Sequence, residues 1–261
     1  MILPAEIAAV VGAEEGDANT VGRSAATVRE YPEHVLKVRP ASPATAWEVE
    51  ILSWLQAKGI PSPRVAAHAV QDGTDWLLMT RVKGTILCDP DVMNRPALLL
   101  DCLGEALHTL WAADCSDCPF DRALSGELDQ AERAIRAGTY DPSGCEPETF
   151  GPGGFESPMA LLEWLRKNAP QEKRVLSHGD FCLPNLLTDG RRLSGMIDLG
   201  DCGAADPWRD LSLGWWSLKH NSDGTFGKTY PHIDPDDLFR AAGVPKDEDR
   251  LRYYLLLKEL F

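Results

Sequence analysis

The sequence predicts an α+β fold in two lobes: a small antiparallel sheet with one main helix, then a mostly helical remainder. Three observations predict it. Between residues 20 and 82 apolar residues alternate in short runs closed by turn residues, broken once by a helical stretch at 45–58. After Lys83-Gly84 the spacing becomes helical, at about 95–113, 120–137, 157–168, 207–221, 235–242 and 247–260. Between the third and fourth of these lies a strand–loop–hairpin, residues 174–198, dense in chemistry-bearing side chains. The switch at 80–85 divides the chain into residues 1–82 and 83–261, with a hinge between them.

The N-terminal lobe is read in order. Residues 4–12 form a short helix. Val21-Gly22-Arg23-Ser24-Ala25-Ala26-Thr27-Val28 is a small-residue turn running into a strand. Small residues let backbone N–H groups approach a phosphate, although an ordinary hairpin accounts for the stretch equally well. His34 to Val38 alternates strictly, with Val35 and Lys37 on one face and Leu36 and Val38 on the other. A Lys inside an apolar strand is costly unless it meets an anion. Ser42-Pro43 caps the helix at 45–58, and Gly59 and Pro61 end it. Trp47, Ile51, Trp54 and Leu55 form its expected buried stripe. Glu48, on the border of that stripe, is the acid expected to meet Lys37; Glu50 lies nearer solvent. Val65–Val70 and Trp76–Val82, joined by Gln71–Asp75, complete the sheet.

Residues 178–198 carry the sharpest signal. His178-Gly179-Asp180 is followed by Asn185 five positions after the Asp, and by Asp198-Leu199-Gly200 thirteen beyond the Asn. A lone His-Gly-Asp reads as a turn. Here Leu186–Thr188, the Asp189-Gly190 turn and Leu193–Ile197 form a hairpin that returns Asp198 beside Asn185. In phosphoryl transfer such a trio serves as one base and two metal ligands converging on the phosphates. That makes Asp180 the base, Asn185 and Asp198 the ligands of magnesium, and Lys37, held by Glu48, the partner of the nucleotide phosphates.

Composition narrows the classes. Twenty-six Lys+Arg against 40 Asp+Glu give a net charge of −14, which disfavours nucleic acid and anionic membranes and suits a cationic partner. The seven Cys are scattered, with Cys115-x-x-Cys118 the only close pair, and are expected to be reduced in a cytoplasmic protein. No apolar run is long enough to span a membrane, and the first residues do not resemble a signal peptide. The state expected in solution is a monomer or weak homodimer. The Gly/Pro-rich acidic segment Tyr140–Pro158 is a functional or solvated loop. Asp206-Pro207 starts a helix on which Asp210 is expected to brace the catalytic loop, while Trp215 and Trp216 are expected in the core.

These residues together resemble the aminoglycoside phosphotransferases, and most closely their 3′-phosphotransferase branch. The resemblance is carried by Trp54-Leu55 with Ile60-Pro61-Ser62-Pro63-Arg64-Val65, by Leu77-Leu78-Met79 and by Ser116-Asp117-Cys118-Pro119. It continues through Ser177–Asp180, Ile197–Gly200 and the final run Tyr253–Phe261. It implies a two-lobed protein-kinase-like fold, residues 1–82 being the nucleotide-binding lobe. It also implies ATP (or GTP) with magnesium, and transfer of the γ-phosphoryl group to a sugar hydroxyl, the 3′-OH, of an aminoglycoside. By the same resemblance Ser24 covers the phosphates, and the backbone of Thr80 and Val82 holds the adenine. Glu146, Glu148, Glu259 and the Phe261 carboxylate meet the cationic acceptor.

Two departures from that branch stand near the acceptor: Asp201 where Arg is usual, and Lys258 where an acid is usual. They keep open a kinase of another small alcohol, such as choline, a thio-sugar or a macrolide. A nucleotide-binding module without catalysis would have lost Asp180, Asn185 or Asp198, and all three are present.

Overall fold

The main helix of the sheet region starts where Ser42 and Thr45 cap each other. Thr45 N–H donates to Ser42 Oγ at 3.3 Å and Ser42 N–H donates to Thr45 Oγ1 at 3.1 Å, with Pro43 in the first turn. The computed structural model describes residues 2–12, 16–19 and 26–261. Its first part holds helix α1 (Ala5–Val11), strands β1 (Asp17–Asn19), β2 (Thr27–Glu30) and β3 (His34–Pro40), helix α2 (Pro43–Ala57), and strands β4 (Val65–Gln71) and β5 (Thr74–Thr80). The strands form one antiparallel sheet in the order β1-β2-β3-β5-β4.

Period-two alternation gives this sheet two different faces. Trp76 and Leu78 of β5 and Leu36 of β3 pack with Ile7 of α1. Leu77 and Met79 of β5 point the other way and join Ile51, Leu52 and Leu55 of α2 in the main core. Lys37 stands opposite Leu77 in the register, so its side chain lies on the α2 face.

The rest runs β6 (Thr85–Ile86), α3 (Pro90–Met93), α4 (Pro96–Ala112), α5 (Leu124–Ala137), α6 (Pro158–Lys167), β7 (Val175–Ser177), β8 (Leu186–Thr188), β9 (Leu193–Met196) and β10 (Gly203–Ala205), then α7 (Pro207–Ser222), α8 (Asp237–Ala242) and α9 (Glu248–Lys258). Leu99, Leu103, Leu107 and Leu110, at helical spacing on α4, are all fully buried. They share the core with Leu161 and Leu165 of α6, Leu176 of β7 and Leu211 and Leu218 of α7. Replacing one such Leu by Ala costs about 2–5 kcal/mol. β7 pairs antiparallel with β10, and β8 with both β6 and β9. The segment holding Asp180 leaves a strand buried at every residue. Gly84, with φ +141°, lets the chain pass from β5 to β6 against Thr188, whose carbonyl oxygen lies 2.6 Å from where a Cβ would stand.

The α+β fold expected from the sequence is the one present, with some differences in phase and extent. Trp47 is not in the stripe of α2. It is 44 % exposed and packs on Phe120, while Thr45, Glu48, Ile51, Leu52 and Leu55 are the buried positions. The helix is rotated so that the Glu48 ion pairs, not an indole, face the sheet. The strand expected over 76–82 ends at Thr80, leaving Val82 in the connection. The helix expected from 120 starts at Leu124, because Asp121 bridges to Ala204 and Arg122 N–H donates to Ala204 C=O at 2.9 Å. β6 and β10 are too short to register as periodicity. Among the described residues no helix is long and apolar enough to cross a membrane.

Candidate active site

The loop after β7 is held from below by one carboxylate. Asp210, fully buried on α7, accepts from Ser177 Oγ at 2.8 Å, His178 N–H at 2.8 Å and Gly179 N–H at 3.1 Å. This is the brace expected of Asp210. α7 is itself capped by Asp206, whose side chain accepts from Trp208 N–H. Gly179 has φ +88°, and a Cβ there would meet the Asp201 carbonyl oxygen at 2.2 Å, so only glycine fits the turn that exposes Asp180.

Asp180 is gripped on both carboxylate oxygens. Asn185 Nδ2 donates to Oδ2 at 2.8 Å and to the Asp180 carbonyl at 3.0 Å, and the Cys182 thiol donates to Oδ1 at 3.2 Å. The hairpin of β8 and β9 brings the rest together. Ile197 N–H donates to Asn185 C=O at 2.8 Å, which sets Asp198 beside Asn185. Asp198 adopts φ +60°, one of two non-glycine residues at positive φ among those described. Such a conformation persists only where its surroundings impose it.

Lys37 crosses from the sheet to meet this hairpin. Its Nζ lies 2.8 Å from Glu48 Oε1 and 2.7 Å from Asp198 Oδ1. Burial works against the Lys37 charge, but Glu48 and Asp198 outweigh it and hold the ammonium above its ordinary pKa of 10.5. Burial would likewise lift Asp198. Lys37 overrides it and holds that carboxyl below its usual 3.8, and 55 % of the side chain stays exposed.

Sequence reasoning placed Glu48 on a border, whereas its side chain is 3 % exposed. It also missed a second cation. Arg39 Nη2 lies 2.6 Å from Glu48 Oε2, and Arg39 Nε lies 3.4 Å from Asp75. Asp75, fully buried, contacts His68 Nε2 at 2.7 Å. Arg39 follows Lys37 on the same strand face, a signal that was available; Asp75 and His68 join only through the β3–β5–β4 register.

The donors suit a hard divalent cation. Asn185 gives both amide contacts through nitrogen, which leaves its Oδ1 for a metal, and Asp198 offers the oxygen that Lys37 does not hold.

The remaining expected residues fall in three places. Thr80 N–H donates to Arg64 C=O at 2.9 Å, and Val82 makes no backbone hydrogen bond among the described residues. Ser24 lies outside the described residues. Asp201 and Phe261 line a cavity of about 210 Å³ together with Asp180 and Lys258, and Arg122 reaches Asp201 at 3.2 Å. Glu146, Glu148, Trp216 and Glu259 line a second cleft of about 380 Å³, which shares Lys258 with the first.

Glu259 is buried and engaged by its own chain. It accepts from Glu146 N–H at 2.6 Å, Thr149 Oγ1 at 3.2 Å and Lys258 Nζ at 2.8 Å, and so ties the 140–158 loop to the end of α9. Trp216 is not a core residue as expected. It walls the cleft, donating from Nε1 to Glu146 at 2.7 Å, because its position on α7 faces the loop rather than α4.

A kinase-like sheet and helical region meeting at such a loop define the phosphotransferase class. The model of the Phosphotransferase enzyme family matches residues 16–244. An aminoglycoside 3′-phosphotransferase of Niallia circulans is 31 % identical over 270 residues, covering 99 % of this chain and 97 % of the relative. The structure of aminoglycoside phosphotransferase APH(3″)-Id from Streptomyces rimosus superposes with a TM-score of 0.79 at 27 % identity, covering 98 % of this chain and 96 % of that one. A second structure of that protein, in complex with ADP and streptomycin, gives a TM-score of 0.76. An aminoglycoside-3′-phosphotransferase of type VIII gives 0.78 at 28 % identity, with 98 % of both chains covered. The chain belongs to the phosphotransferase enzyme family and, within it, to the aminoglycoside phosphotransferases.

Proposed function

We propose that the protein transfers the γ-phosphoryl group of ATP to the 3′-hydroxyl of an aminoglycoside, with magnesium as the metal. The observation that carries this reading is that Lys37 of β3 meets Asp198 at the end of the β8–β9 hairpin, which stands beside Asn185, whose amide holds Asp180 in the loop after β7. Asp180 accepts the proton of the attacking hydroxyl while Asn185 and the Cys182 thiol hold its carboxylate in place. Asn185 Oδ1 and Asp198 would hold magnesium, which when bound neutralises charge on the phosphates. Lys37, fixed by Glu48 and Arg39 through that acid, orients the α- and β-phosphates. Residues 1–82 serve as the nucleotide-binding lobe, Ser24 covering the phosphates and the backbone of Thr80 and Val82 taking the base. The acidic residues around the acceptor, Glu146, Glu148 and Asp201, attract a polycation, and the −14 net charge favours its approach.

Phosphorylation removes a drug hydroxyl and adds negative charge, which weakens attraction to anionic ribosomal RNA and so confers resistance. A second reading, transfer to a 3″-hydroxyl, is supported by the likeness to the Streptomyces rimosus enzyme. NMR of the product formed from kanamycin or streptomycin locates the phosphate. Coupling of phosphorus to the 3′ proton supports the first reading, and coupling to the 3″ proton supports the second. Phosphate on neither drug contradicts both.

A further inference from the structure

The acceptor side of the site contains a cation of its own. Lys258 is the residue common to the cavity that holds Asp180 and to the cleft beyond it. Its Nζ lies 4.6 Å from the centre of the Trp216 ring and 2.8 Å from Glu259 Oε1, and the side chain is 23 % exposed. Those two partners are what an incoming ammonium would use: an aromatic face and a carboxylate. Both are fixed. Trp216 is held at its edge by Glu146, and Glu259 gives its other oxygen to Glu146 N–H and Thr149. The other Lys and Arg on these walls stand elsewhere, while His220 packs against the Trp216 ring at 4.7 Å. Lys219 pairs with Asp223, Arg252 stacks on Trp164, and Arg209 is ion-paired with Glu127.

We propose that Lys258 determines acceptor specificity: its ammonium fills the cation position formed by Trp216 and Glu259, so the preferred acceptor presents a neutral hydroxyl, not an amine, at this edge. The inference rests on the phosphotransfer reading. An acceptor ammonium placed here must displace Lys258 or stand beside a like charge, and a hydroxyl does neither. Lys258 can also donate to such a hydroxyl, which aids binding on the side of the cavity facing Asp180.

The test uses pairs of aminoglycosides that differ by one amine against one hydroxyl: neomycin with paromomycin, and kanamycin B with kanamycin A. In at least one pair the native protein should favour the hydroxyl member in kcat/KM by about fivefold or more. Lys258→Met should bring that ratio near one, Lys258→Arg should keep it, and KM for ATP should hold in both. Lys258→Gln repeats the test should Lys258→Met fail to fold. Ratios that the neutral variants leave unmoved, with drug-dependent turnover intact, overturn the specificity role alone. Absence of drug-dependent turnover in the native protein overturns the phosphotransfer reading, and this inference with it.

Discussion

The amide of Asn185 donates to Asp180 Oδ2 at 2.8 Å and to the Asp180 carbonyl at 3.0 Å, so the proposed base and a proposed metal ligand form one rigid unit. Removing the amide frees the base as well as subtracting a ligand. Asn185→Ala should lower kcat by about 10²-fold or more even at saturating magnesium, because Asp180 loses the donor that fixes its carboxylate. A fall in metal affinity alone, with kcat restored at saturating magnesium, would contradict the coupling.

Lys37 is suspended between Glu48 and Asp198 at 2.8 and 2.7 Å. Lys37→Met should raise KM for ATP about tenfold or more and leave acceptor KM within about twofold. Glu48→Gln should raise KM for ATP less. It should also destabilise the fold by about 3 kcal/mol, since Lys37 and Arg39 would both lose a buried counter-charge. Nucleotide kinetics and urea unfolding separate the two effects; unchanged ATP kinetics in Lys37→Met would contradict the assignment.

Asp210 satisfies three donors with no solvent to replace it. Asp210→Ala should cost about 3 kcal/mol or more, and Asp210→Asn less, because the amide oxygen still accepts. Equal stability of all three proteins in denaturant titration would show that the loop holds itself.

Stability should also depend on pH through His178. Burial holds its pKa below the ordinary 6.5, against the pull of Asp210, Asp180 and Asp198. As pH falls through 6.5 the unfolded chain gains a proton that the folded chain does not, so stability falls. Asp198 acts in another window. Its depressed pKa gives a contribution present above 3.8 and lost as pH drops through the depressed value. Lys37, raised, keeps its contribution below 10.5 and loses it as pH climbs past the raised value. The Tm should therefore fall between pH 7 and 5, and His178→Gln should flatten that slope. A slope identical in both proteins would contradict the assignment to His178.

The parts legible in the sequence are those built locally. Asp180, Asn185 and Asp198 lie within nineteen residues joined by a hairpin, and hairpin geometry follows from its turn. The Ser42 cap and the Asp206-Pro207 start were likewise readable from three or four residues. What escaped is tertiary. The phase of α2 is set by two ion pairs reaching Glu48, and hydrophobicity placed Trp47 inside instead. Arg39, Asp75 and His68 meet only once three strands are in register. The position of Trp216 depends on a loop and a chain end more than a hundred residues apart, tied by Glu259.

The most direct test of the central claim is turnover of ATP and GTP by the purified protein across kanamycin, neomycin and the 3′-deoxy drug tobramycin, beside Asp180→Asn. Acceptor-dependent turnover with kanamycin and neomycin, none with tobramycin, and a loss of at least about 10³-fold in the variant is the predicted result. Turnover that persists in Asp180→Asn, or that does not depend on the drug, would contradict it.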